Sequence, residues 1–362
     1  MRWFRRGVAV HGEDRPTAMV FAPYLHTLGG GERVIVRITR LLQRHHEVRL
    51  CAPRPRDEKR WASLGFPEIP ITVMNARQFT RASWRKPLVV AMTNHLPLPS
   101  LAKDSILIVQ FPTDDIRTMS AWRRTSRRWA VGKYRIVTYS QFNATHIYER
   151  WRVRDVTVLP PPVQQFSYDP GAKTRTILSV GRFTTSGNHK RHDVLLEAWA
   201  ALRPRLPGWE LVLVGAGGDG DPYLGNLKIR ASEIGGVTIH VDAPPSVLDE
   251  CYRQASIYWH AAGYGRAADR PDMAEHFGMS TVEAMSAGGV PIVFCDGGQV
   301  DIVAGTAGFC WHDVPELVAM TESLAIDPRK LTAGAIDVSA AAQRFAPERF
   351  DDGFLRLVTV SP

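Results

Sequence analysis

The 362-residue chain is poor in cysteine and has no uncharged apolar run of membrane length. Its four cysteines, Cys51, Cys251, Cys295 and Cys310, are scattered and form no CxxC pair. That excludes the spacing of a zinc ribbon and the density of a disulfide framework, so buried, reduced thiols and no metal are expected. The strongest apolar stretch, residues 88–92, soon meets Asn94, His95 and several prolines, well short of the roughly 18 residues a spanning helix needs. The opening MRWFRRG is basic but has neither an apolar stretch nor a small-residue cleavage site after it, so it does not read as a secretory signal and a cytoplasmic protein is expected. Low-complexity tracts are absent as well. With 44% hydrophobic and 22% charged residues the composition is that of a soluble globular protein, and the length suggests two domains of roughly 150–180 residues.

Acidic residues are scarce in the first half. Residues 1–160 carry 28 Lys and Arg against 12 Asp and Glu, whereas the rest carry 17 against 24. Such asymmetry points the first half at something anionic, a membrane surface or an anionic lipid before nucleic acid. No RNP sequence, helix-turn-helix or zinc-finger spacing accompanies the charge, so no nucleic-acid partner is expected.

Short β-branched apolar runs at 19–22, 48–52, 71–74, 88–92, 106–109 and 136–139 alternate with helical stretches, the rhythm of a parallel α/β sheet. The rhythm pauses at Val156-Thr-Val-Leu-Pro-Pro-Pro-Val163, where three prolines cannot continue a strand ladder and an interdomain linker is expected. A second series follows at 177–180, 211–214, 237–241, 256–260 and 290–294. The fold class that results is α/β, with two Rossmann-like, doubly wound parallel-sheet domains facing across a cleft, 1–163 and 164–344, and a last helical segment at 345–362. Ligands of open α/β sheets bind beyond the carboxyl ends of the strands, so that cleft is the expected site.

Three segments carry candidate chemistry. Glu275-His-Phe-Gly-Met-Ser-Thr-Val-Glu283 sets two carboxylates eight residues apart around a glycine turn and a helix start. The backbone of Phe277, Gly278, Met279 and Ser280 would face a phosphate there. Ser280 to Glu283 also fits a capping box, and a loop glutamate is commonly just solvated. Val180-Gly-Arg-Phe-Thr-Thr-Ser-Gly-Asn-His-Lys-Arg-His-Asp193 puts Arg182 at a strand end and Lys190 at a helix start, a pair suited to a diphosphate unless both are simply exposed cations. His26-Thr-Leu-Gly-Gly-Gly-Glu-Arg-Val34 opens a helix with glycines, Gly30 and Gly31 among them, that let backbone approach a ligand. It lacks the spacing of the dinucleotide fingerprint, and a plain tight turn explains it equally. Asp219-Gly-Asp221 resembles a metal-binding pair but sits in a glycine-rich turn, where aspartate organises loops. His260 ends a strand near the same region and reads as a buried residue that could also face a donor.

Residues 116–129 read as an amphipathic helix, with Arg123, Arg124, Arg127 and Arg128 on one stripe and Met119, Trp122 and Trp129 at helical spacing. Arginine with interfacial tryptophan suits an anionic bilayer. The alternative is that the tryptophans enter the core.

Taken together, the glycine-rich first loop, the Arg182…Lys190 pair and the Glu275…Glu283 motif resemble glycosyltransferase family four over residues 19–356. NHKRHDVLLEAW and EHFGMSTVEAMSAGGVPIV look most like its lipid-linked oligosaccharide mannosyltransferases. The resemblance implies a GT-B fold and retaining, metal-independent hexosyl transfer, mannosyl or glucosyl, from a UDP- or GDP-sugar to a glycan or lipid-linked acceptor. No cofactor beyond the substrate is implied, and the protein would sit peripherally at the cytoplasmic membrane face. By the same resemblance Arg182 and Lys190 would hold the diphosphate, Glu283 the ribose and Glu275 the sugar hydroxyls, with Gly30 and Gly31 approaching the phosphate. Many relatives place a histidine where this chain has Gln110, which can hydrogen-bond a hydroxyl but cannot become cationic. Two other readings stay open: a nucleotide-sugar epimerase of similar architecture, which would need acid/base groups from the first half and is made less attractive by Gln110, and a non-catalytic nucleotide-sugar or lipid-binding protein, at which the missing histidine hints.

Overall fold

The structure is a computed structural model that describes residues 15–25, 30–55, 58–63, 69–185, 189–218, 221–265 and 270–359. The first sheet contains β1 (Thr17–Phe21), β2 (Glu47–Ala52), β3 (Ile71–Val73), β4 (Leu88–Met92), β5 (Asp104–Val109), β6 (Arg135–Thr138) and β7 (Val156–Val158), in the order β3-β2-β1-β4-β5-β6-β7. Strand β1 pairs in parallel with β2 and β4, and β4 with β5. All five residues of β4, Leu-Val-Val-Ala-Met, are buried, as expected of a parallel strand covered on both faces.

The second sheet contains β8 (Thr176–Val180), β9 (Glu210–Gly215), β10 (Val237–Val241), β11 (Ile257–His260), β12 (Val290–Phe294) and β13 (Phe309–Trp311), ordered β10-β9-β8-β11-β12-β13. Every neighbouring pair in it is parallel. The winding reverses between β8 and β11, which makes their carboxyl ends the topological switch point where such sheets leave a crevice.

By their packing the residues form two compact units, Met1–Ile108 with Ile116–Ile136, and Val109–Asp115 with Val137–Pro362. In the second unit the helix His192–Leu202 lays Leu195, Leu196 and Trp199 on Leu211, Leu213 and Trp259, all fully buried. Burial of each leucine contributes about 1.5–3 kcal/mol. The buried indoles also satisfy their N–H groups: Trp199 donates to the Gly235 carbonyl (3.1 Å), Trp259 to Thr321 (3.0 Å) and Trp311 to the carbonyl of His260 (3.3 Å). The last bond fixes the end of β11.

Two strands escape the sequence reading. Val156–Val158, assigned above to the linker, is strand β7, and Phe309–Trp311 is strand β13. Each has three residues, too few for a period to register. Pro160–Pro162 follow β7 without secondary structure. The helix expected after Pro347 spans Pro347–Thr359 and buries Phe350 and Phe354. Within the second unit it lies close against Leu159, since a Cβ on Gly353 would come 2.6 Å from a Leu159 methyl.

Candidate functional site

Strand β8 delivers its chain to the switch point through glycine. The Gly181 amide donates to Val214 (2.9 Å), continuing the ladder. A Cβ at Gly181 would sit 2.5 Å from Cγ of Lys190, and one at Gly215 would sit 1.8 Å from the Gly181 carbonyl oxygen. Glycine at 181 therefore lets the Lys190 side chain cross the strand end, and glycine at 215 lets the backbone of Gly181 approach. Arg182, next along, is exposed, and among the described residues no side chain pairs with it.

Lys190 does not stand as a lone cation. Its ammonium pairs with Oε2 of Glu275, and both side chains are largely buried, 17% and 13% exposed. Nε2 of His260, at the end of β11 and 2% exposed, lies 3.1 Å from the same Oε2. The switch point thus brings together one residue from the loop after β8, one from the end of β11 and one from the loop after β11. Burial alone would push the Glu275 carboxyl up, but the Lys190 charge and the His260 hydrogen bond outweigh it and hold the group well below the usual carboxylate range. For His260 burial wins over the pull of Glu275, and its pKa is lowered. A neutral imidazole beside an ionised carboxylate carries its proton on Nε2 and donates it.

The loop that carries Glu275 is held from several directions within the second unit. The carbonyl of Glu275 accepts from the Gly298 amide (2.7 Å). That of His276 accepts from Ser140 Oγ (2.8 Å) and Asn143 Nδ2 (3.1 Å). The His276 ring stacks on Phe111 at 4.4 Å and 9°. Gln110, half-buried just beyond β5, and Glu275 each adjoin one member of that stack. Burial lowers the His276 pKa to about 4, so its ring is neutral.

Gly278, at φ 111°, is the N-cap of the helix Met279–Ser286. Ser280 is then the second helical residue and cannot be the cap of a capping box, which removes that reading of Glu283. Glu283 instead lies in the second turn, buried, and accepts a hydrogen bond from the buried Tyr252 hydroxyl (2.7 Å). Ser280 Oγ accepts from Tyr258 (2.8 Å). The amides of Met279 and Ser280 open the helix, where no intrahelical acceptor exists for them. The Phe277 ring is buried against Phe345, centroids 5.6 Å apart, which leaves backbone as its means of meeting a ligand.

Two residues at this site went unread in the sequence. Arg191 caps the helix His192–Leu202 in the left-handed region, φ 54°. Its guanidinium pairs with Asp193 (3.3 Å) and donates to the Tyr264 carbonyl, tying the loop after β8 to the loop after β11. Gln299 is fully buried beside Gly278, with neither amide atom partnered among the described residues. Nothing in Asp296-Gly-Gly-Gln299 marks that placement.

Gly30 and Gly31 begin the helix Gly30–Gln43 of the first unit; residues 26–29, and Asp219 of the aspartate pair, lie outside the described residues. Asp221 caps the helix Pro222–Ile234 by accepting from the Tyr223 amide (2.9 Å), the turn-organising role. Among the described residues no cluster of His, Cys, Asp and Glu could hold a metal ion, and no helix is long and apolar enough to cross a membrane.

The arginine-rich helix, also in the first unit, spans Ala121–Val131 and not 116–129: residues Ile116–Thr118 form a separate 3-10 turn and Met119 lies outside the helix. Trp122 and Trp129 are 74% and 52% exposed, so the alternative that both enter the core fails. Arg123, Arg124 and Arg128 are exposed, while Arg127 is half-buried and donates to the Pro97 carbonyl (3.4 Å).

The family model for glycosyl transferases, group 1, matches residues 163–322. Among curated proteins the chain is similar to the GDP-Man:Man(3)GlcNAc(2)-PP-Dol alpha-1,2-mannosyltransferase of Yarrowia lipolytica. The two are 25% identical over 279 residues, 67% of this chain and 41% of that one. It is also similar to the GDP-mannose:cellobiosyl-diphosphopolyprenol alpha-mannosyltransferase of Komagataeibacter xylinus, 26% identical over 49% of this chain and 43% of that one. The chain spans less than half the length of these relatives. Among solved structures, a glycosyltransferase from Rickettsia africae superposes with a TM-score of 0.75 at 14% identity, covering 96% of this chain and 100% of the other. Anabaena HepE in complex with UDP gives 0.74 at 14% identity, covering 95% and 100%. Residues 163–322 of the chain thus match the group 1 glycosyl transferases, the chain is similar to lipid-linked oligosaccharide mannosyltransferases, and its fold is GT-B.

Proposed function

We propose that the protein is a retaining glycosyltransferase that moves a hexosyl group, mannosyl first among the candidates, from a nucleoside diphosphate sugar to a hydroxyl of a glycan or lipid-linked acceptor. What carries this reading is the meeting of Lys190, Glu275 and His260 at the switch point of the second sheet. Lys190 has three donors, so one can remain on Glu275 while the others serve a phosphate oxygen. Arg182, exposed at the end of β8, offers the fork that a diphosphate accepts bidentately. The Met279 and Ser280 amides add the positive end of a helix. Oε2 of Glu275 takes both bonds from its neighbours, and Oε1 is left to accept from a sugar hydroxyl. Glu283, steadied by Tyr252, is assigned to the ribose.

In this reaction the bond from the anomeric carbon to the phosphate oxygen breaks, and a bond from the same carbon to the acceptor oxygen forms. The acceptor proton passes to the departing diphosphate on the same face, so configuration is retained and no protein nucleophile is needed. Stabilising the departing phosphate is the task of Arg182, Lys190 and the helix start, in place of a metal. Gln110 is assigned to a sugar hydroxyl.

On the acceptor side we assign the exposed face of the helix Ala121–Val131 to an anionic bilayer surface. Its arginines complement the lipid charge, and Trp122 and Trp129 suit the interface.

The test is nucleoside diphosphate release from a panel of UDP- and GDP-hexoses in EDTA, with polyprenyl-linked and phospholipid acceptors, and NMR of the product anomer. Acceptor-dependent release from one donor, with retained configuration and lost in Glu275→Ala, is the expected result. Release that needs a divalent cation, or an inverted product, overturns the mechanism. Binding of a donor without release from any acceptor favours the non-catalytic reading.

A further inference from the structure

His260 ends β11 at the switch point, and its ring has an arrangement that burial alone does not require. Nε2 lies 3.1 Å from Oε2 of Glu275, whereas Nδ1 is buried and has no hydrogen-bond partner among the described residues. An imidazole needed only to fill space would cost less as a leucine, because an unpartnered ring nitrogen in a buried site carries a desolvation penalty. The interaction that offsets this cost is the one at Nε2.

The orientation is fixed from behind. The carbonyl of His260 accepts from the Trp311 indole (3.3 Å), and β11 pairs with β12 through His260 and Val293. The ring is therefore mounted on the end of a strand paired within the second sheet, while Glu275 sits on a loop. Lys190, the other partner of Oε2, also comes from a loop, and its four-carbon stem can swing.

We propose that His260 is a positioning residue for the donor sugar: its Nε2–H holds Oε2 of Glu275 and so turns Oε1 toward the hydroxyls of the hexose. This rests on the reading of Glu275 as the residue that meets the transferred sugar. When a diphosphate draws the Lys190 ammonium, His260 keeps the carboxylate in place. Unlike the lysine it does so without neutralising the negative charge that a sugar hydroxyl needs as acceptor.

The experiment compares wild type, His260→Leu and His260→Gln. Glutamine places an amide N–H near the position of Nε2 and retains a donor; leucine fills the space without one. Calorimetry gives affinities for GDP, UDP and their hexose conjugates, and steady-state kinetics gives kcat and KM on the donor and acceptor that wild type uses. His260→Leu should leave nucleoside diphosphate affinity within about twofold. It should lose the added affinity of the sugar and lower kcat/KM by roughly ten- to a hundredfold, the scale of one hydrogen bond to a charged group. His260→Gln should recover most of that loss.

A leucine variant that weakens nucleoside diphosphate and nucleotide-sugar binding equally has lost only structure, and that overturns the proposal. So does a glutamine variant no better than leucine at equal thermal stability. If wild type prefers no nucleotide sugar over the bare nucleotide, it is the assignment of Glu275 to the sugar that fails, and the proposal with it.

Discussion

Lys190 and Glu275 stand 85 residues apart in the chain and form an ion pair that is largely withdrawn from water. Two charges in such a place cost several kcal/mol each to desolvate, and removing one leaves the other uncompensated. Lys190→Met should therefore destabilise the protein by about 2–4 kcal/mol, somewhat below the figure for fully buried pairs because both groups keep a little solvent. Adding Glu275→Leu to that variant should recover most of the loss, although neither protein transfers sugar. Urea denaturation of the two single variants and the double variant measures the coupling. Additive losses would mean the pair is not an energetic unit.

Acid provides an independent view of the same pair. The folded state holds the Glu275 carboxyl below its ordinary value of 4.5. Its contribution to stability is thus fully present above that value and is lost as the pH falls toward the lowered one. The stability gap between wild type and Glu275→Gln should be flat from neutral pH to about 5 and narrow below about 4.3. Denaturation across that range checks it. A gap that widens toward acid would mean the folded carboxyl titrates above its unfolded value.

Gly181 and Gly215 separate function from stability. A methyl at Gly181 meets the flexible stem of Lys190, whereas one at Gly215 meets the backbone oxygen of Gly181 at 1.8 Å. Gly181→Ala should shift the flexible Lys190 stem without breaking its pair with Glu275, costing at least tenfold in activity but less in stability than Gly215→Ala. Gly215→Ala must move a strand end and should cost about 1–3 kcal/mol, as overpacking does. Thermal melts beside transfer rates decide it, and equal stability losses would place the strain somewhere other than the lysine.

The two parallel sheets were legible because central strands such as β4 are buried on both faces and read as unbroken apolar runs. The three-residue strands Val156–Val158 and Phe309–Trp311 were not, since their place is set by the longer neighbours they pair with. Glu275, Lys190 and Glu283 were legible as individual residues, by type and by closeness to strand ends. Their partners were not. That Lys190 meets Glu275 follows from β8 and β11 becoming neighbours, a long-range event that spacing along the chain does not encode, and that Tyr252 meets Glu283 and His260 faces Oε2 follows from how the elements on either side of β11 pack. Gly278 was read as a turn, but only its φ of 111° shows it to be the helix cap and so moves Ser280 inside the helix.

The tryptophan helix makes a prediction about membranes in which its arginines are not equivalent. Arg123, Arg124 and Arg128 are exposed, whereas Arg127 is half-buried and donates to Pro97. A basic side chain near an anionic surface contributes about 1 kcal/mol to binding. Replacing the three exposed arginines with glutamine should weaken association with phosphatidylglycerol vesicles by up to roughly a hundredfold, since each 1.4 kcal/mol is tenfold. Arg127→Gln should do much less. Trp122→Ala should reduce binding even at high salt, because its contribution is apolar and unscreened, while the arginine effect fades as the Debye length shrinks. Cosedimentation at two salt concentrations measures all of this, and binding that ignores both the arginines and Trp122 would remove this helix from any membrane role.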